Sequence, residues 1–210
     1  MVWEFEQKIL RKESSFVSGI HLDFATGTGR ILPFFEEATE KQYGLDISGA
    51  MLKVAQDKNT NATLVNKDFR EDVAELRGVT FDLVTAFRFF PNAEESLREE
   101  AMYFISKKLK RGGILIVNNH RSFWSIPYIF LRLVGSQTGA EGMSNADLVK
   151  LAQKNNLKIV RHYSMGVVPQ SESTSILPWR INRMVEKLIF TIFIQDHLLG
   201  YNSVFVFKKY

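Results

Sequence analysis

Residues 21–30, His-Leu-Asp-Phe-Ala-Thr-Gly-Thr-Gly-Arg, combine the end of an apolar strand, an acid and a turn of small residues. Glycine in such a turn lets a ligand approach the backbone where a side chain would collide. A helix that we expect to follow the turn would present its unpaired N–H groups to that ligand. A second acid, Asp46, ends a second strand about 20 residues on, where folds of this type hold ribose hydroxyls. Together the two stretches indicate a site for a nucleoside cofactor.

Length and composition restrict the class of protein. The chain has 210 residues, of which 45% are hydrophobic and 24% charged, so we expect one domain over residues 1–210 with a substantial core. It contains no cysteine, which excludes disulfides, zinc–thiolate sites and thiol nucleophiles, and we expect no bound metal. Its start lacks the pattern of a signal peptide, and no apolar run is long enough to span a bilayer. We therefore expect a cytoplasmic protein.

The charge balance is mildly basic, with a net charge of +4. The densest basic run, residues 107–111, is interpreted as the end of a helix, where cations complement the helix dipole. Because the positive charge is small and not clustered further, we expect no nucleic-acid partner.

Apolar strands alternate with helical stretches along the first 120 residues. We predict helices at residues 3–11, 30–37, 48–58, 93–110 and 144–155, and strands at residues 20–24, 42–45, 62–66, 81–86, 114–117, 157–163 and 203–208. This alternation predicts a doubly wound, Rossmann-like α/β fold. The expected sheet has seven strands, mostly parallel with an antiparallel last strand, and helices on both faces.

The second half is less regular. We predict an apolar helix at residues 123–134 and an insertion at about residues 164–202, both placed to shape a substrate pocket. The insertion includes an apolar helix over residues 179–199, for which packing over the sheet, a pocket lid, a homodimer face and a membrane contact are the alternatives.

Residues 23–29 resemble motif I of the class I S-adenosylmethionine (SAM) methyltransferases, Asp-x-Gly-x-Gly-x-Gly. Asp23, Gly27 and Gly29 match this motif, and Ala25 replaces its first glycine. Later motifs of the family follow in order at residues 44–52, 66–69, 81–86 and 109–117, so the resemblance spans about residues 19–118. It is strongest to small-molecule methyltransferases of types 11 and 25.

The resemblance implies a role for each matching residue. The methionine part of the cofactor would lie against Asp23 and the backbone of the turn, and Asp46 would accept hydrogen bonds from both ribose hydroxyls. The cofactor residues implied in this way are Asp23, Ala25, Thr26, Gly27, Gly29, Asp46, Ile47, Met51, Asp68, Phe69, Ala86 and Phe87. In this set, Ile47 and Met51 would flank the adenine, Asp68 and Phe69 would meet its amino edge, and Ala86 and Phe87 would line the methyl end.

Candidate acceptor residues follow the fourth and fifth strands. His120 is the best candidate for a catalytic base, since imidazole titrates near neutrality, although a structural role is an equal alternative. Arg88 would bind an anionic group of the acceptor or pair with a loop acid, and Asn92 and Asn119 are further acceptor candidates. The fourth strand lacks the Asn/Asp-Pro-Pro-Tyr pattern of family members that methylate amino groups of DNA bases or of protein glutamine. We therefore expect a small-molecule acceptor, such as a sugar, a nucleotide sugar or a secondary metabolite.

The leading hypothesis is methyl transfer from SAM, with S-adenosylhomocysteine as product, to an oxygen or nitrogen atom of a small molecule. A non-catalytic SAM-binding regulatory or assembly protein is one alternative. An NAD-dependent oxidoreductase is the other, weakened because the third glycine of the dinucleotide fingerprint is missing.

Overall fold

The computed structural model describes residues 2–58, 61–120, 143–165 and 202–210, together with scattered positions between 180 and 188. Its helices with assigned bounds are α1 (Val2–Ser14), α2 (Gly49–Gln56), α3 (Glu95–Lys108) and α4 (Asn145–Lys154). Its strands are β1 (Ile20–Phe24), β2 (Lys41–Asp46), β3 (Thr63–Asn66), β4 (Phe81–Ala86), β5 (Leu109–His120), β6 (Leu157–Met165) and β7 (Asn202–Lys209).

The strands form one seven-stranded sheet in the order β3-β2-β1-β4-β5-β7-β6. Strands β1 to β5 pair in parallel, and β7 lies antiparallel between β5 and β6. The predicted doubly wound fold with an antiparallel last strand is therefore confirmed. The strand order reverses between β1 and β4, so a crevice opens at their carboxyl ends, which is where open α/β sheets bind ligands.

Both faces of the sheet are covered, because neighbouring residues of each central strand point to opposite sides. Val84 of β4 joins a core cluster with α3 and α4, whereas the preceding Leu83 joins a second cluster with α1. In β5, Leu115 and Ile116 divide in the same way. Consecutive apolar residues in these strands are thus explained by burial on two faces.

The predicted helix at residues 30–37 is wrong. The structure has only a 3-10 turn there, Leu32–Phe34, with Pro33 in its first positions. Ile31, Leu32 and Phe35 are all buried, and Ile31 and Phe35 pack in the same core cluster as α1. A helix with one apolar face would not bury all of these side chains, whereas a turn does. The small-residue turn is therefore not followed by an α-helix N-terminus.

The boundary between α3 and β5 also differs from the prediction. Residues 93–110 were expected to be helical, but α3 ends at Lys108 and β5 begins at Leu109, five residues before the predicted strand. Leu109 is buried and pairs with Phe81, and an irregularity then shifts the register so that Leu83 pairs with Ile114. Burial of Leu109 thus sets the start of β5.

The predicted helix at 123–134 lies outside the described residues, as do most of the insertion at 164–202 and of the helix at 179–199. In the described part of the chain, no helix is both long and apolar enough to cross a membrane.

Candidate active site

A tight turn follows the end of β1, at the edge of the crevice. Ala25, Gly27 and Gly29 all have positive φ angles, of 54°, 55° and 69°. The Thr26 N–H donates to the Leu45 carbonyl at 3.1 Å, which ties the turn to the end of β2. Glycine adopts left-handed backbone without steric cost, so Gly27 and Gly29 suit two of the three left-handed positions of this turn.

Asp46 connects this turn to α2. Its carboxylate accepts from the Gly27 N–H at 2.8 Å and from the Ser48 N–H at 2.9 Å. Ser48 in turn caps α2 by accepting from the Met51 N–H. A carboxylate offers about four lone-pair positions, so two remain for hydroxyl donors of a ligand.

Two chambers meet at Asp46. The larger has a volume of about 570 Å³ and is lined by the turn, Arg30, Met51, Phe87 and Arg88 among others. The smaller, of about 260 Å³, is lined mainly by apolar groups. The residues common to both are Ala25, Asp46, Phe89 and Leu97. An apolar chamber joined to a charged one through a carboxylate fits a nucleoside that carries a charged chain.

The smaller chamber has an aromatic floor. Phe24 contacts Phe69 and Phe89 edge to face, with ring centroids 5.1 and 4.9 Å apart. Ile47, at its rim, is 71% exposed. Asp68 lies beside it, and hydrogen bonds from Arg70 lower the pKa of Asp68. An apolar slot with an ionised acceptor at one edge matches a purine with its amino group.

A buried polar network supports the turn from below. Asp23 accepts from the hydroxyls of Thr26, at 2.6 Å, and Thr85, at 2.7 Å, and His21 bonds Thr85 at 2.8 Å. Burial raises the pKa of Asp23 to about 6 and lowers that of His21 to about 3. Asp23 does not line either chamber; its carboxylate holds Thr26, and with it the turn, in place.

Side-chain amides hold the backbone of Arg88, which lines the larger chamber. The Arg88 N–H donates to Asn118 Oδ1 at 2.6 Å, and the Arg88 carbonyl accepts from Asn92 at 2.5 Å. Asn118 also donates to Glu6 Oε1 at 2.7 Å. Arg30 lines the same chamber, and its guanidinium carbon lies 4.7 Å from the centroid of the Trp3 ring.

The structure brings most of the sequence-predicted residues together, but not all. Ala86 is buried in the core, and Asn119 donates to the Met143 carbonyl and to Asn145, away from the chambers. His120 ends β5 at the carboxyl edge of the sheet and is not among the described residues that line a chamber.

Sequence reasoning missed Glu6, Arg30 and Asn118. The one available signal was in α1, where Glu6 is an acid on the face that buries Phe5, Ile9 and Leu10. A charged residue on an apolar face is uncommon without a partner.

Comparison with known proteins agrees with this geometry. Residues 22–113 match the family model described as a methyltransferase domain. This segment of the chain is therefore similar to methyltransferase domains. An uncharacterized methyltransferase of Anoxybacillus flavithermus is 26% identical to it over 115 residues, which are 55% of this chain and 53% of that protein. The match to this curated relative thus spans only about half of its length.

Solved structures share the fold of this chain at low sequence identity. A SAM-dependent methyltransferase from Clostridium acetobutylicum is 14% identical with a TM-score of 0.63, over 98% of this chain and 90% of that one. The N-methyltransferase NodS from Bradyrhizobium japonicum, in complex with S-adenosylhomocysteine, is 14% identical with a TM-score of 0.63, over 97% and 85%. Magnesium protoporphyrin IX methyltransferase from Synechocystis, with bound SAM, is 13% identical with a TM-score of 0.61, over 100% and 82%.

Proposed function

We propose that this protein binds SAM in the two chambers and transfers its methyl group to an oxygen or nitrogen atom of a small molecule. The observation that carries the proposal is the junction at Asp46, where an apolar slot meets a charged chamber beside a left-handed turn. The cofactor supplies an electrophilic methyl group on a sulfonium sulfur. The protein's task is then to align the acceptor and to exclude water.

Each part of the cofactor is assigned to different described residues. Asp46 offers its remaining lone pairs to the ribose hydroxyls, and the smaller chamber takes the adenine. The backbone of the turn faces the methionine part, and Asp23 supports it from below. The residues proposed for the cofactor site are Asp23, Ala25, Thr26, Gly27, Gly29, Asp46, Ile47, Met51, Asp68, Phe69, Ala86 and Phe87, of which Ala86 is buried in the core and lines neither chamber.

The acceptor is proposed to be a small molecule, such as a sugar, a nucleotide sugar or a secondary metabolite. The larger chamber, about 570 Å³, falls within the range of small-molecule pockets, although part of it must hold the cofactor. Arg88 and Asn92 line its acceptor end. His120 is retained as the candidate base because it lies at the carboxyl edge where the crevice opens. We further propose that residues 1–210 act as one domain, with the insertion at about 164–202 shaping the acceptor site.

The cofactor assignment is tested by calorimetric titration of the purified protein with SAM, S-adenosylhomocysteine and NAD. We expect the first two to bind and NAD not to bind. Binding of NAD alone would contradict the proposal from its first step, since hydride transfer would then replace methyl transfer.

Asp46→Ala tests the site itself. Loss of a charged acceptor from two hydroxyls should weaken SAM binding by about 100-fold or more, since hydrogen bonds to charged groups contribute roughly 1.5–3 kcal/mol each. Asp57→Ala is the matched control, because Asp57 is an exposed acid just beyond α2 that lines neither chamber. Circular dichroism checks that Asp46→Ala remains folded despite losing the acceptor for the Gly27 N–H. Unchanged SAM affinity in the folded variant refutes the assignment of Asp46.

A further inference from the structure

Two arginines from different elements share one wall of the larger chamber. Arg30 follows the turn after β1, and Arg88 follows β4. Of the described residues that line this chamber, Asp46 is the only acid, and the proposed function assigns it to the ribose hydroxyls. Guanidinium groups keep their charge in proteins, so this wall is positively charged.

Both arginines are held in place by specific contacts. Arg30 packs on Trp3, and burial together with the nearby charge of Arg88 lowers the pKa of Arg30. Arg88 has a φ of 63°, and Asn118 and Asn92 hold its N–H and its carbonyl. A non-glycine residue fixed in the left-handed region is a strained conformation of the kind found at ligand sites.

Glu6 compensates only part of this charge. Its side chain is buried, with the residue 3% exposed, and Oε1 accepts from Asn118. No described residue donates a hydrogen bond to Oε2. Arg30 also interacts with the buried Asp23 carboxylate. Neither Glu6 nor Asp23 lines the chamber, so the charged groups that face it at this end are the two guanidinium groups.

The proposed cofactor supplies no net negative charge to these two guanidinium groups. SAM carries one carboxylate together with an ammonium and a sulfonium group, so its binding adds no net negative charge. We propose that Arg30 and Arg88 bind an anionic group of the methyl acceptor, a carboxylate or a phosphate, so that the substrate class is an anionic small molecule. This inference rests on the proposed function and names the acceptor class for the same site.

The test uses protein saturated with S-adenosylhomocysteine, so that the cofactor's own carboxylate is already bound. Inorganic phosphate and benzoate are titrated calorimetrically, with benzamide as the neutral counterpart of benzoate. We expect at least one of the two anions to bind and benzamide not to bind, and the anion that binds identifies the acceptor group as phosphate or carboxylate. Absence of anion binding to the loaded protein overturns the inference, and so does an anion that binds only the unloaded protein and is displaced by S-adenosylhomocysteine.

Variants that are expected to change anion binding in opposite directions distinguish this role from damage to the fold. Arg88→Gln should weaken anion binding about tenfold, as expected for one charge-assisted hydrogen bond, and Arg88→Lys should restore part of it. Glu6→Gln keeps the acceptor for Asn118 but removes a negative charge, so it should strengthen anion binding roughly threefold. Arg111→Gln, an exposed arginine near the opposite end of β5, is the control and should leave binding unchanged.

The outcomes also separate this inference from the proposed function. Failure to bind S-adenosylhomocysteine refutes the proposed function. Binding of S-adenosylhomocysteine without anion binding, or weaker anion binding in a folded Glu6→Gln variant, refutes only the anionic acceptor.

Discussion

Ala25 is a non-glycine residue with a φ of 54°, at the position where motif I of the resembling family has its first glycine. A Cβ atom in the left-handed region costs roughly 1–2 kcal/mol, and glycine recovers this at an entropic cost of roughly 0.5–1 kcal/mol. We therefore expect Ala25→Gly to raise the free energy of unfolding by about 0.5–1 kcal/mol, measured by urea denaturation. Ala55→Gly in α2, where glycine is disfavoured, is the control and should lower it by about 1 kcal/mol or more. A loss of stability in Ala25→Gly would show that the Cβ contacts outweigh the strain.

At the scale of single residues, site residues that are close in sequence could be predicted, and contacts between distant positions could not. The turn and Asp46 could be predicted because the glycines and the acid lie within about 20 residues in a fixed order. The contact of Glu6 with Asn118 joins positions 112 apart, and no spacing rule predicts such a pair. Arg30 was seen only as the end of a motif, since its neighbour Trp3 comes from another element.

Strands β1 and β4 share a buried chain of polar groups, Asp23–Thr85–His21, in which two titrations oppose each other. The pKa of Asp23 is raised to about 6, so the native state holds a proton that the unfolded chain releases, and stability falls as pH rises from about 4 to 6. The pKa of His21 is lowered to about 3, so the unfolded chain holds a proton that the native state lacks, and stability rises with pH over the same window. In wild type the two effects cancel between about pH 4 and 6, because each state holds one proton.

Single substitutions should expose each titration. Relative to wild type, the free energy of unfolding of Asp23→Asn should rise by about 1.4 kcal/mol per pH unit between pH 4 and 6. That of His21→Gln should fall by a similar amount over the same range. Urea denaturation at pH 4, 5 and 6 measures both, and taking differences from wild type removes the other titrating groups. Curves parallel to wild type would show that these groups do not titrate as their burial indicates.

Prediction at the scale of elements succeeded for strands and failed where packing overrode local pattern. The seven predicted strands are all present, because their apolar runs are long and bounded by turns. Residues 30–37 were predicted to form a helix, but Pro33 and the burial of residues on either side of it give a 3-10 turn. Strand β5 starts early because Leu109 pairs with Phe81, a long-range contact that the basic run around it does not reveal.

For the whole molecule, α1 ties the start of the chain to the far edge of the sheet. Glu13 is fully buried and accepts from Arg161 Nε at 2.8 Å and from the Tyr163 hydroxyl at 2.5 Å, both on β6. The same helix carries Trp3 and Glu6 towards the candidate site. Its docking therefore connects the edge strand β6 to the end of the crevice that Arg30 and Arg88 line.

Glu13→Gln tests this coupling, because it removes the buried charge while keeping the shape of the side chain. Breaking one partner of a buried ion pair costs about 3 kcal/mol or more, reduced here because the Arg161 side chain is 27% exposed, so we expect the free energy of unfolding to fall by about 2–3 kcal/mol. Glu37→Gln, an exposed acid, should change it by less than about 0.5 kcal/mol. Urea denaturation gives both values.

Since α1 packs over the sheet through Phe5, Ile9 and Leu10 as well, the loss should appear in one cooperative transition. A separate early transition would mean that α1 detaches before the sheet unfolds. The position of Glu6 near the site would then depend on the ion pair between Glu13 and Arg161.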